Sequence, residues 1–261
     1  MLAHAVIDCF KASGIQFDVL CRPKFDAKQF EHVKFGVSKY DYVVNCIGLT
    51  NRWQDDTDEK TFIKINSHFP QFLSKKCVDE GSRLIHISTD CVFSGKNGPY
   101  VEDSYRDGTG IYSKSKIKGE PIENSLVLRT SIIGPEIHNF YSLLHWVFSK
   151  EGETIRGFKN HIWNGMTTYQ LAQCILTIVQ RDLFYFGSRH LFSAKALSKF
   201  ELIKMICDIY ELKNTNVISV YAEKGKDMRL NTNFPDYISK FKIKPIDDQM
   251  RDLALMADAK I

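Results

Sequence analysis

Apolar residues recur at helical spacing at the start of the chain and then gather in short runs. Leu2, Val6 and Phe10 share one face of a predicted helix, which Gly14 ends. Apolar runs predict strands over 15–21, 42–47, 83–88, 126–130, 154–156, 190–193 and 217–221. Helical spacing predicts further helices over 59–79, 111–120, 142–149, 168–180 and 199–210.

Helices and strands alternate along the first half of this prediction. The nearly continuous apolar run at 42–47 is typical of a parallel strand that is covered on both faces. The alternation predicts an α/β fold with a doubly wound, Rossmann-like parallel sheet over residues 1–134. Residues 135–261 are predicted to form a smaller mixed α/β substrate-binding lobe. Because no Pro/Gly/Ser-rich linker separates the two parts, we expect them to share one core.

The overall composition favours a cytoplasmic protein with a small-molecule partner. The 261 residues are 44% hydrophobic and 25% charged, which is average for a globular domain. No apolar stretch approaches the ~20 residues of a membrane helix, so no membrane partner is expected. The formal charge of +4 is mild and its lysines are scattered, which favours an anionic small ligand over nucleic acid.

Cysteine and histidine spacing gives no sign of a metal site. The seven cysteines include no C-x-x-C pair, and the eight histidines include no H-x-x-x-H pair. We therefore predict neither a metal centre nor a disulfide framework. His86, inside the third predicted strand, is expected to be a core residue rather than a ligand.

Tyr112 and Lys116 are the first candidates for chemistry. At positions i and i+4 they lie on one face of a predicted helix, where an ammonium group favours the phenolate and lowers the pKa of the phenol. Such a tyrosine can exchange protons near neutral pH. The same spacing is expected about once by chance in a chain this rich in lysine, so an exposed basic helix with one anchoring tyrosine is the alternative.

Hydroxyl groups follow the third predicted strand, at Ser88 and Thr89. Open α/β sheets bind their ligands at the carboxyl ends of their strands. Thr89 is therefore placed to hydrogen-bond a substrate carbonyl while Tyr112 supplies the proton. The alternative is that both hydroxyl groups only cap the following loop.

Several ordered segments resemble one enzyme family. Residues 83–95, 99–103, 112–120 and 128–131 read RLIHISTDCVFSG, PYVED, YSKSKIKGE and LRTS. In this order they closely resemble the dTDP-4-dehydrorhamnose reductases, a branch of the extended short-chain dehydrogenases/reductases. The resemblance is strong over about fifty residues of motifs and weak over the rest of the chain.

The resemblance implies a role for several residues. Thr89, Tyr112 and Lys116 match the catalytic threonine, tyrosine and lysine of the family. Besides Tyr112 and Lys116, the positions that match its cofactor-binding segment beside the nicotinamide are Asn45, Cys46 and Ile47. The positions that match its substrate-binding segments are Asp90, Trp163 and Asn164. The family's Gly-x-Pro-Thr segment lacks its proline here, and Cys91 replaces a usual tyrosine, which affects the identity of the sugar more than the chemistry.

The expected cofactor is NADP(H), with NAD(H) as the second choice. Arg22 and Lys24 follow the predicted strand at 15–21, and no acidic residue precedes Asp26 in this turn. In dinucleotide-binding folds an acidic residue here binds the ribose 2′-hydroxyl, whereas an arginine accommodates a 2′-phosphate. A solvated basic turn is the alternative interpretation.

By this resemblance, hydride would pass from NADPH to C4 of a 4-keto-6-deoxy sugar nucleotide, and Tyr112 would protonate the new alkoxide. Relatives begin with a strand and a Gly-x-x-Gly-x-x-Gly turn that holds the pyrophosphate. The 261 residues contain no such turn, so the first strand and the glycine-rich loop are expected to be missing and NADPH to bind poorly. Either the native protein has a longer start, or this is a non-catalytic regulatory homologue that binds a dinucleotide or sugar nucleotide. A homodimer is also left open.

Overall fold

The computed structural model describes residues 1–50, 57–136 and 140–258. Its helices are α1 (Leu2–Ser13), α2 (Glu59–Ile63), α3 (Phe69–Glu80), α4 (Gly110–Gly119), α5 (Leu143–Phe148), α6 (Thr168–Gln180), α7 (Lys199–Ile209), α8 (Pro235–Ile238) and α9 (Ile246–Asp258). Its strands are β1 (Tyr42–Asn45), β2 (Arg83–Ile87), β3 (Ser125–Arg129), β4 (Ile132–Ile133), β5 (Thr154–Phe158), β6 (His161–Trp163), β7 (Met166–Thr167), β8 (Gly187–His190), β9 (Leu197–Ser198), β10 (Asn216–Val220) and β11 (Lys226–Asp227).

The main sheet is parallel and has the order β1-β2-β3-β8. One face packs against α1 and α6 through a cluster that includes Phe10, Leu128 and Ile175. The other face packs against α3 through a cluster that includes Leu73 and Leu84. Helices therefore cover both faces, which confirms the predicted doubly wound α/β fold.

The C-terminal half contributes to both parts of the molecule. Its α6 and β8 complete the main sheet and its core. The remaining elements form a lobe in which β5 pairs with β10, while β6 pairs with β9 and β11. Leu144, Ile203 and Met250 are buried in the core of this lobe. The division at residue 134 stays a prediction, and α6 and β8 join the two parts.

The segments 15–21 and 190–193 differ from their prediction. Residues 15–21 form no strand, because no neighbouring strand among the described residues offers them a ladder of hydrogen bonds. The side chains of Val19 and Leu20 are exposed, whereas Ile15 and Phe17 pack against the core, with Phe17 edge-on to Phe10. The fourth strand of the sheet lies at Gly187–His190, about three residues before the predicted position.

One long helical unit presses against the helix that carries Tyr112 and Lys116. It consists of α2, a π-helical turn over Lys64–His68, and α3. At Gly119 of α4, a β-carbon would lie 1.8 Å from the backbone oxygen of Asn66. The two backbones approach this closely only because residue 119 has no side chain.

Gly119→Ala should lower the free energy of unfolding by about 1–3 kcal/mol, since backbone atoms and not a flexible side chain would have to move. Urea denaturation measures the loss. Gly36→Ala is the matched control, because a β-carbon there meets only Glu80 Oε2, at an ordinary 3.7 Å. An equal effect of the two substitutions would show that α4 is free to move away.

None of the described helices is both long enough and apolar enough to cross a bilayer.

Candidate active site

Tyr112 and Lys116 lie on α4, beside the carboxyl ends of β1 and β2. Lys116 is 5% exposed, and Tyr112 is half-buried. The Lys116 Nζ donates to the Ile87 carbonyl oxygen at 2.8 Å and lies 3.5 Å from Nε2 of His86. The structure thus places the ammonium group of Lys116 at the end of β2, one residue before Ser88 and Thr89.

Burial changes the proton affinity of Lys116. It lowers the pKa of this lysine to about 8, against the smaller opposing effects of Glu120 and Cys46. Burial also raises the pKa of the Cys46 thiol to about 12, so the thiol stays protonated near neutral pH. Of Lys116 and Cys46, only Lys116 can therefore change its charge in a mildly basic solution.

The prediction that Lys116 lowers the pKa of the Tyr112 phenol is wrong. Burial raises the pKa of Tyr112, as do Cys91 and Asp90 to a smaller extent. The Thr89 side chain acts in the opposite direction, which places the two hydroxyl groups beside each other. The prediction considered only the charge one helical turn away, whereas the loss of water around the phenol dominates. The phenol consequently keeps its proton at neutral pH and is suited to donate it.

Thr89 and Asp90 form a buried pair at the end of β2. The Thr89 Oγ1 accepts from the Cys91 backbone N–H at 3.1 Å, so Thr89 caps the short turn that follows. It also lies 3.1 Å from Oδ1 of Asp90, to which it donates. Burial raises the pKa of Asp90, while hydrogen bonds from Ser131 and Thr89 lower it. The capping role and the position beside Tyr112 therefore coexist.

The end of β1 and the residues after it lie beside Lys116. Asn45 Oδ1 accepts from the Ile47 N–H at 3.0 Å, which turns the chain at the end of the strand. Asn66 Oδ1 accepts from the Leu49 N–H at 2.8 Å and its amide donates back to the Leu49 carbonyl. A β-carbon on Gly48 would lie 3.3 Å from Asn66 Oδ1 and 3.9 Å from Lys116 Nζ. The missing side chain at Gly48 therefore allows Asn66 and Lys116 to lie close to the backbone of this segment.

A buried ion pair that the sequence analysis missed holds α4 to β3. Arg129 donates to Glu120 through Nε at 2.9 Å and through Nη2 at 2.8 Å. Ser88 and Arg106 donate to the same carboxylate, at 2.6 Å and 2.8 Å. Arg129 and Glu120 are 1% and 6% exposed. These four groups connect the C-terminal end of α4 to the residue after β2 and to β3.

The three residues that were predicted to bind substrate lie in different surroundings. Asp90 lies in the cluster with Thr89, but the Trp163 side chain is buried in the core of the C-terminal lobe. Asn164 is also buried, and its amide pairs with both backbone groups of Leu230 at 2.8 Å. Lys199, which the sequence analysis did not single out, lowers the pKa of Asp90, and its Nζ lies 5.8 Å from the centre of the Trp163 ring.

Arg22 is exposed, and no hydrogen bond or ion pair joins its side chain to the described part of the chain. Phe25, three residues later, packs in the same cluster as Ile47. This packing brings the basic turn to the β1 side of the sheet. Its contact with a 2′-phosphate stays a prediction.

Among the described residues no group of three or more histidine, cysteine, aspartate or glutamate side chains is arranged to hold a metal ion. All seven cysteines are free thiols.

A family model described as the RmlD substrate binding domain matches residues 1–235. The chain belongs to this family. A dTDP-4-dehydrorhamnose reductase of Mycobacterium tuberculosis is 36% identical over 85 residues, which cover 31% of this chain and only 28% of that relative. The spore coat polysaccharide biosynthesis protein SpsK of Bacillus subtilis is 28% identical over 206 residues, 76% of this chain and 71% of that protein.

A differently named relative and a solved structure are also similar to this chain. The methionine adenosyltransferase 2 subunit beta of Danio rerio is 28% identical over 188 residues, 67% of this chain and 58% of that subunit. The dTDP-4-dehydrorhamnose reductase of Bacillus anthracis, solved in complex with NADP, superposes with a TM-score of 0.81 at 18% identity. The superposition covers 98% of this chain and 95% of the other and supports the same fold.

Proposed function

We propose that this RmlD-family protein reduces the 4-keto group of a 6-deoxy sugar nucleotide with NADPH. The observation that carries the proposal is the meeting of Thr89, Tyr112 and Lys116 at the carboxyl ends of β1 and β2. Each of these residues matches a catalytic residue of the reductases that the sequence resembles. The name of the Mycobacterium tuberculosis relative and the NADP complex from Bacillus anthracis support the same reaction class.

The residues at this edge fit a dinucleotide. Gly48 exposes backbone next to Lys116, and the Lys116 amine keeps hydrogens beyond the one donated to Ile87. Lys116 would hold the cofactor ribose, Asn45 to Ile47 would line the nicotinamide, and Arg22 would meet a 2′-phosphate. When bound, NADPH supplies the hydride.

Tyr112 then donates its phenolic proton to the oxygen of the former ketone, which becomes a hydroxyl group. The phenolate recovers a proton from solvent, so the protein ends unchanged. Thr89 hydrogen-bonds the reacting oxygen beside Tyr112, and Asp90 contacts the sugar. Positioning and proton supply account for most of the rate enhancement in such a site.

The decisive experiment is substrate-dependent oxidation of NADPH, followed by its absorbance, with dTDP-, UDP- and GDP-linked 4-keto-6-deoxyhexoses. NADPH is supplied in millimolar amounts, because the 261 residues contain no glycine-rich pyrophosphate turn. We expect turnover with at least one of these sugar nucleotides. No oxidation with any of them, in a protein shown to be folded, would contradict the proposal.

The second candidate is a non-catalytic regulatory subunit. It is favoured by the match to a protein that is named as the beta subunit of an adenosyltransferase. Binding of NADPH or a sugar nucleotide without any oxidation of NADPH is the result that this candidate predicts. The same titrations therefore separate the two functions.

A further inference from the structure

His86 is completely buried between Asn45 and Lys116, and the proposed reaction gives it no role. It is paired with Asn45 across β1 and β2. The Asn45 Nδ2 lies 3.1 Å from His86 Nδ1, and the Lys116 Nζ lies 3.5 Å from His86 Nε2. One imidazole ring thus connects the segment after β1 to the lysine of α4.

The direction of each hydrogen bond follows from Asn45. Its Oδ1 accepts from the Ile47 N–H, so the amide nitrogen is the end that faces His86. An amide nitrogen only donates, and therefore Nδ1 of His86 accepts. Burial holds the pKa of His86 well below its usual range, so the ring is neutral and carries its single hydrogen on Nε2.

The Nε2–H of His86 therefore points at the amino group of Lys116. A lysine ammonium has three hydrogens to donate and no lone pair to accept. Two donors would face each other at 3.5 Å while Lys116 is charged. The contact becomes a hydrogen bond when Lys116 is a neutral amine, whose lone pair accepts from Nε2–H while one of its own hydrogens bonds Ile87.

We infer that His86 is a positioning residue that sets the charge of Lys116 by favouring the neutral amine over the ammonium. The Glu120 carboxylate, just after α4, also acts on Lys116 and favours the ammonium. Cys46, just after β1, acts in the same direction only when its thiol has lost its proton. His86 opposes them together with burial. For catalysis this inference rests on the proposed function, in which Lys116 works beside Tyr112 and the cofactor.

The test replaces His86 in two ways. In His86→Gln the side-chain oxygen can accept from the ammonium, and in His86→Asn the acceptor for Asn45 is kept while the group that faces Lys116 is lost. Both should make Lys116 bind its proton more tightly, by about tenfold, which is about one pH unit. His32→Gln, an exposed position, is the control and should change nothing.

The readout that does not need activity is the pH dependence of stability. Because the pKa of Lys116 falls from 10.5 to about 8 on folding, its charge costs stability below pH 8. This cost is relieved as the pH rises from about 8 towards 10.5. The free energy of unfolding, relative to a Lys116→Met protein in the same background, should therefore rise over this window. In the two His86 variants the rise should begin about one pH unit higher.

A rise that begins at the same pH with and without His86 would overturn the inference. The pH profile of kcat/KM provides the second readout and should move by the same amount in the same direction. If no sugar nucleotide is reduced, the proposed function fails, but the stability profiles still decide the role of His86. Where one His86 variant does not fold, the other supplies the comparison.

Discussion

Replacing Tyr112 with phenylalanine should reduce the rate of NADPH oxidation by about 10²- to 10⁴-fold, the usual contribution of a positioned general acid. The burial that raises the pKa of Tyr112 keeps its phenol protonated at neutral pH, as a reductase requires of its proton donor. Phenylalanine has nearly the same shape and removes only the hydroxyl group beside Thr89. The loss should therefore appear in kcat, with the fold intact by circular dichroism.

Tyr105→Phe is the matched control for this experiment. Tyr105 is 86% exposed and lies outside the cluster, so its hydroxyl group should be dispensable. Both variants are compared with the parent protein at saturating NADPH and substrate. Turnover of Tyr112→Phe at the parental rate would remove the phenol from the mechanism.

Replacing Arg129 with methionine should cost about 3–5 kcal/mol of unfolding free energy, because it leaves the buried Glu120 carboxylate without its main partner. The pKa of Glu120 is lowered mainly because hydrogen bonds and charge from Arg129 outweigh burial. Methionine keeps most of the volume, so a cavity explains little of the loss. Urea denaturation at pH 7 measures the change.

Two comparisons separate the buried ion pair from a general effect of charge. Lys204→Met breaks the exposed pair with Asp208 on α7 and should cost less than about 1 kcal/mol. A double replacement of Arg129 by Met and Glu120 by Leu should recover much of the loss, because no unpaired buried carboxylate then remains and Arg106, which loses the same partner, is partly exposed. If Arg129→Met is as mild as Lys204→Met, the pair does not hold α4 in place.

Local patterns predicted much of the fold. The helix over 168–180 occurs as predicted because its apolar residues follow a period of 3.6 and Thr167 caps its first turn. The strands near 42–47, 83–88 and 126–130 were recognisable as apolar runs for the same kind of reason. Residues 15–21 have such a pattern too, but a strand also needs a neighbour, which a local pattern does not contain.

The residues of the candidate site were also predicted only in part. Thr89, Tyr112 and Lys116 were identified from motifs. They lie near one another because α4 packs beside the end of β2, which brings Tyr112 to Thr89 and Lys116 to Ile87. Their catalytic roles stay a prediction. Trp163 and Asn164 were predicted to bind substrate from their place in a motif. Their side chains are buried in packing and backbone contacts, and their contact with a substrate stays a prediction. The hydrogen-bond partners of Lys116, Ile87 and His86, are 29 and 30 residues away along the chain, and no spacing pattern in the sequence indicates them.

The amino-acid sequence by itself determined the class of fold, most element positions and the family, since these depend on short-range periodicity and on ordered motifs. The tertiary structure alone decided the charge states. Burial raises the pKa of the Tyr112 phenol, lowers the pKa of Lys116 and keeps His86 neutral, and the hydrogen bond from Asn45 orients the His86 ring towards Lys116. These effects depend on the removal of water and on contacts between distant segments, neither of which exists before the chain has folded.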